Sequence, residues 1–133
     1  MKKEMEQPST LEEAIAILKK FYKDIEEIKA MSEKDFIGSS HFFSGMFIRN
    51  SWLLWWYEGH GYKEWPADRP KIVEWFNSID IVHADDMSSI ILTCLHRDLN
   101  GVPFDLDAQV ERYKKHWREA GYADGIPKMG KEE

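Results

Sequence analysis

The chain has a single cysteine, Cys94, in 133 residues. That rules out an internal disulfide framework and a cysteine-based zinc site. Its five histidines, His41, His60, His83, His96 and His116, show neither H-x-x-x-H nor H-E-x-x-H spacing. Only a site assembled from separate helices would remain for a metal, and no metal or cofactor is expected. There is no glycine-rich loop to cradle a phosphate. Ser88-Ser89 lacks the surroundings of a nucleophile elbow. His96-Arg97-Asp98 matches a kinase catalytic tripeptide, but no Gly-rich loop, lysine strand or D-F-G accompanies it. Positive charge is short as well: 18 Lys and Arg stand against 24 Asp and Glu, a net charge of −6. A nucleic-acid backbone is therefore a poor partner. A basic protein would suit, although acidity also serves solubility alone. No signal peptide, lipidation motif or membrane span is visible, so the expected location is cytoplasmic, away from membranes. No internal repeat or low-complexity tract appears.

Aromatic residues are plentiful: six Trp, seven Phe and five Tyr. Some will anchor a core, but an excess of Trp also suits a sticky surface or a ligand cage. They concentrate in residues 39–61, S-S-H-F-F-S-G-M-F-I-R-N-S-W-L-L-W-W-Y-E-G-H-G. Serines open this stretch and glycines close it, as a helix of about five turns would require. Only Ser44, Ser51 and Glu58 form a plainly polar stripe, so the spacing predicts a helix buried on most sides. Arg49 and Asn50 interrupt it. Arg49 would share a face with Trp52, Leu53 and Trp56, and a buried guanidinium needs an acidic or carbonyl partner. Either the two residues fix helix packing as an internal polar network, or Arg49 lines a Trp-walled pocket for an anion or an acidic partner.

The remaining chain reads as further helices. Residues 1–8 form a charged, flexible leader. Thr10-Leu-Glu-Glu13 is a capping box, opening a helix with Leu11, Ala14, Ile15, Leu18, Phe21, Tyr22, Ile25 and Ile28 on one stripe. Ser32 starts one short turn ending at Gly38. Residues 60–70 read as an aromatic loop, with Trp65 as either a pocket lid or a pin to the core. Asp68 caps a short helix with Ile72, Val73 and Phe76 inward. Residues 83–101 form a well-marked helix whose first turn carries Asp85 and Asp86, placed to favour the helix dipole. Met87, Ile90, Ile91, Cys94 and Leu95 supply its apolar face. Asp105 caps the last helix, which carries Leu106, Val110, Tyr113 and Trp117, and residues 122–133 form a flexible tail. The predicted architecture is all-α: a single domain over residues 9–121, a compact bundle of about five helices around a Trp/Phe-rich central one.

One polar constellation stands out. Arg49, Asn50, Asp85, Asp86, Ser89, His96 and Arg97 lie on helices that should pack together. Beside Trp52, Trp56 and Trp65 they would make a site for a planar anion such as a nucleotide, with Arg on phosphate and Trp stacking. The same residues would equally form an internal network. The motifs G-M-F-I-R-N-S-W at 45–52, D-D-M-S-S-I-I-L at 85–92 and H-R-D-L-N-G at 96–101 resemble a family of small bacterial proteins known only as a domain of unknown function. Ala84 departs from the proline that often follows the histidine there. The resemblance implies a bacterial or phage-borne cytoplasmic protein and carries no activity. The expected function is non-enzymatic binding, as an immunity protein, inhibitor or small-ligand sponge, of a protein partner or an anionic small ligand. The alternatives are a small enzyme on a nucleotide-like anion, with His96 or His41 beside Asp85 or Asp86, and a structural homo-oligomer subunit.

Overall fold

The computed structural model describes residues 6–40, 44–56 and 68–127, and every helix below lies among these. They form seven helices and no strand: α1 Leu11–Phe21, α2 Ile25–Ala30, α3 Glu33–Ser40, α4 Met46–Ser51, α5 Lys71–Asn77, α6 Ala84–Leu99 and α7 Leu106–Glu119. The fold is all-α. None of these helices is long and apolar enough to cross a membrane.

The capping box at the start of α1 forms. The Thr10 hydroxyl accepts from the Glu13 N–H at 3.2 Å, and the Glu13 carboxylate accepts from the Ser9 N–H at 2.7 Å. Leu11, Ala14, Ile15 and Leu18 face the core. The stripe predicted to run on to Ile28 is broken at Tyr22, and Phe21 faces solvent. Only Ile28 of α2 is buried. The Ser32 hydroxyl accepts from the Asp35 N–H at 3.1 Å, and α3 continues past Gly38 to Ser40. In α5, Ile72, Val73 and Phe76 point inward as expected, but Pro70 rather than Asp68 holds the cap position.

The predicted long helix over 39–61 is not what the chain builds. Ser39 and Ser40 already lie within α3 instead of opening a helix, residues 41–43 and 57–61 lie outside the described residues, and a wider turn at residues 44 and 45 leads into the short α4. The helix stops at Trp52, and Leu53 takes a left-handed φ of 55°. Burial explains the break. Trp52 and Leu54 are both fully buried, whereas a continuous helix would point them about 200° apart. The turn sends both into one core, and each contributes about 1.5–3 kcal/mol of burial. Met46, Phe47 and Asn50 are left on the exposed side of α4.

The helix buried on most sides is α6. Residues 90–96 are all buried, and α1, α2, α3 and α4 make their close approaches against it. His83 caps it, its Nδ1 accepting from the Asp85 N–H at 3.1 Å. Asp105 occupies the cap position of α7 at a φ of 52° but makes no side-chain cap bond.

The described residues 6–8 and 122–127, parts of the predicted leader and tail, make contacts with the helices. The Trp52 indole N–H donates to the Glu6 carbonyl at 2.8 Å, Gln7 donates to the Ser51 carbonyl at 2.9 Å, and Pro8 is buried. Residues 122–127 fold back on α7, where a Cβ on Gly125 would lie 2.8 Å from the Lys114 Cβ.

Two helical glycines test this description in opposite directions. A Cβ at Gly38 would meet nothing within 4 Å, whereas one at Gly45 would lie 2.9 Å from Arg49 Nη1. Gly38→Ala should therefore raise stability by about 0.5–1 kcal/mol. Gly45→Ala should lower it, because displacing a pinned guanidinium outweighs the propensity gain. Urea unfolding of the two variants checks both signs.

Candidate functional site

The polar residues marked in the sequence are divided between the two ends of α6. Asp86 and His96 lie ten residues apart on it, about 15 Å along the axis, so no single site gathers them.

At the N-terminal end the centre is Arg49, 4% exposed. Its Nη1 donates to the Ser88 hydroxyl at 2.8 Å, and that hydroxyl donates to the Asp85 carbonyl at 3.1 Å. Arg49 Nε lies 3.4 Å from Asp85 Oδ1, and the guanidinium carbon sits 5.8 Å from the Trp55 ring centre. Charge, hydrogen bond and aromatic face thus surround the cation. Trp55 meets His83 edge-on at 6.3 Å, and His83 meets Trp117 at 5.5 Å. Trp117 in turn donates its indole N–H to Asp86 at 2.9 Å. Asp85 and Asp86 therefore point to different partners.

Asp86 is 9% exposed. Burial pushes its carboxyl above the ordinary carboxylate range, against the Trp117 hydrogen bond and the nearby His83 and His116. Tyr113 is also pushed up, chiefly by burial, and its hydroxyl is hydrogen-bonded to Ser89.

At the C-terminal end, Arg97 forms a two-pronged ion pair with Glu33 at 2.7 and 3.2 Å and donates to the Phe104 carbonyl at 2.5 Å. Arg97 does not pair with Asp85 or Asp86, because Glu33 on α3 lies within reach and the aspartates are three turns away. The Arg97 hydrogen bond holds Glu33 below the usual carboxylate range. His96 Nε2 donates to the Met31 carbonyl at 2.6 Å, and its ring stacks on Phe36. Burial pushes the Cys94 thiol up to about 11, and an unreactive thiol results.

The tryptophans fare differently from their predicted ligand role. Trp52 is a core anchor tied to Glu6. Trp56 is half-buried, with the Arg69 guanidinium 5.1 Å from its ring centre. Trp65, like His41, lies outside the described residues. Asn50 is exposed beside Met46 and Phe47. Among the described residues, no three His, Cys, Asp or Glu side chains gather to hold a metal ion.

The largest exposed apolar side chains were not singled out as a site by sequence. Phe21 is 45%, Met46 47% and Phe47 43% exposed. Phe21 and Phe47 stack at 5.4 Å with rings 20° apart. They border a groove of about 220 Å³ between α1 and α4, lined also by Leu18, Tyr22, Ser44 and Ile48. Helical spacing put all of these except Ser44 on apolar faces; what it lacked was the end of α1 at Phe21.

The desolvated carboxylate gives a pH-dependent prediction. Because the folded pKa of Asp86 lies above its unfolded value, the stability that its neutral form contributes is fully present below the unfolded pKa. It is lost as pH rises through the folded pKa. Asp86→Asn keeps an acceptor for the Trp117 indole and removes the charge. Thermal melts should show a higher Tm for the variant at pH 7–8, with the gain shrinking toward about pH 4. A lower Tm at every pH would contradict this account of Asp86.

No curated protein and no solved structure matches the chain. One family does: that described as Domain of unknown function (DUF6794) matches residues 7–99. This stretch is well over half of the chain and runs from the segment pinned by Trp52 to the end of α6. The chain therefore belongs to the family Domain of unknown function (DUF6794).

Proposed function

We propose that the chain is a non-enzymatic binding protein whose partner-facing surface is the α1–α4 groove. The observation that carries this reading is the stacked pair Phe21 and Phe47, exposed at the edge of an apolar hollow, with Met46 exposed next to Phe47 in the chain. Large apolar side chains grouped on a surface mark interaction sites. The hollow, at about 220 Å³, is smaller than the roughly 300–1,000 Å³ of small-molecule pockets. It suits one bulky side chain of a protein partner.

The occupant we assign is a short amphipathic helix with one large apolar anchor flanked by Asp or Glu. Charge supports the flank. Lys20 and Lys23 are exposed at the end of α1 beside Phe21 and Tyr22, while Lys19 is engaged by Asp98 at 2.7 Å. With the exposed Asp24 beside them, the two lysines leave the rim one positive charge in excess on a chain of net charge −6. Asn50, on the same face of α4 as Met46 and Phe47, adds a polar contact at the edge. The proposed setting is the cytoplasm of a bacterium or its phage, on the strength of the motifs and composition.

The anionic-ligand form of the reading has less support, because Arg49 and Arg97 are already engaged by Asp85, Ser88 and Glu33. So has an enzyme using His96 with Asp85 or Asp86, since His96 is held by Met31 at the other end of α6.

Panning a displayed library of short peptides tests the proposal. Enriched peptides should share a bulky apolar residue with Asp or Glu nearby. They should bind Phe47→Glu at least about tenfold more weakly, with the variant's Tm unchanged. Peptides that bind the variant equally well would overturn the reading. A dimer in sedimentation analysis that Phe47→Glu abolishes would assign the groove to a second copy instead.

A further inference from the structure

The match to the family ends at Leu99, and α7 lies beyond it. Helices α6 and α7 run antiparallel, joined by residues 100–105, in which Gly101 and Asp105 have φ values of 68° and 52°. Three rungs connect the two helices: Trp117 meets Asp86, Tyr113 meets Ser89, and Gln109 donates to the Cys94 sulfur at 3.5 Å. A fourth fastening of α7 is the Lys114–Asp80 ion pair at 3.0 Å. Within the joining segment the Phe104 carbonyl accepts from Arg97.

The apolar part of this contact is only partly buried. Gln109 is the one buried residue of α7, while Leu106, Val110 and Tyr113 pack on the core half-exposed and Trp117 is half-exposed beside them. The face of α6 beneath is polar. Asp86, Ser89, Thr93 and Arg97, at i, i+3, i+7 and i+11, fall on one stripe. Helices α1 to α4 approach α6 more closely than α7 does. Taking α7 away would return polar groups to water and uncover the partly buried Leu106, Val110 and Tyr113 with the core they pack on, but no fully buried apolar side chain of α7, which keeps the opening free energy below that of global unfolding.

We propose that α7 is a detachable cover. It swings on residues 100–105, carrying residues 122–127 with it, and uncovers the Asp86–Ser89–Thr93–Arg97 stripe while α1–α6 stay folded. The stripe includes Asp86, Ser89 and Arg97, three of the residues the sequence marked as a site, so the cover regulates access to them. This inference is independent of the α1–α4 groove.

Cys94 reports the opening. It is fully buried against Gln109 and is the chain's one thiol. Its modification by a thiol reagent at pH 8 is followed across low urea concentrations, with hydrogen exchange of α7 and α1 measured in parallel. The cover predicts a labelling rate independent of urea below the unfolding transition, and exchange of α7 ahead of α1. Trp117→Ala should speed labelling about tenfold, as loss of one charge-assisted contact does to an opening equilibrium. Asp86→Asn, which relieves the buried charge, should slow it. Labelling that follows the full urea slope of global unfolding, with α7 and α1 exchanging together, would overturn the proposal even if Trp117→Ala failed to fold.

Discussion

A guanidinium buried in a helical core must be surrounded or it unfolds the core. Much of this protein is arranged around meeting that condition for Arg49. Gly45, one turn earlier, has no side chain because Nη1 fills the space where a Cβ would stand. Ser88 and Asp85, one turn apart on α6, supply the acceptor and the countercharge. Trp55 lies near enough to offer its face only because the chain leaves the helix at Trp52. The left-handed Leu53 that makes that exit also lets Trp52 and Leu54 enter the same core. Register of α4 on α6 and the path of residues 52–56 thus follow from one cation.

The two ends of α6 then behave differently. Charges at the C-terminal end are matched: Arg97 and Glu33 neutralise each other in a two-pronged pair, and His96 has a carbonyl partner. The N-terminal end has one matched carboxylate, Asp85, and one met by a neutral donor, the Trp117 indole. A buried carboxylate without a cation is an electrostatic cost at neutral pH. It falls at the contact that holds α7, a helix with no fully buried apolar side chain.

The helical class, the apolar faces of α1, α5 and α6, and the Thr10 cap were legible because each rests on local spacing and local hydrogen bonding. So was the need of a buried Arg49 for an acidic or carbonyl partner, though not which residue of α6 would supply it. The break at Trp52 was not legible. A run of apolar residues reads as helix or turn equally well, and tertiary demand for two adjacent anchors decided it. Nor was the split of the marked residues, since ten residues of helix separate groups that sequence placed in one list. The exposed aromatic pair was hidden for a related reason. Phe21 and Phe47 have core chemistry, and only the ends of α1 and α4 put them outside.

Arg49, Asp86, His96 and Arg97 each have a partner within the fold, and the surfaces proposed to act are instead the apolar groove and the stripe beneath α7. The claim at the centre is that Arg49 is structural. Urea unfolding of Arg49→Ala against the parent chain tests it most directly. The account predicts a loss of about 2–4 kcal/mol, from the vacated volume and the stranded Asp85 and Ser88, with the urea slope unchanged. A change within about 0.5 kcal/mol, the range of an ordinary surface substitution, would contradict it and return Arg49 to the role of a ligand-binding residue.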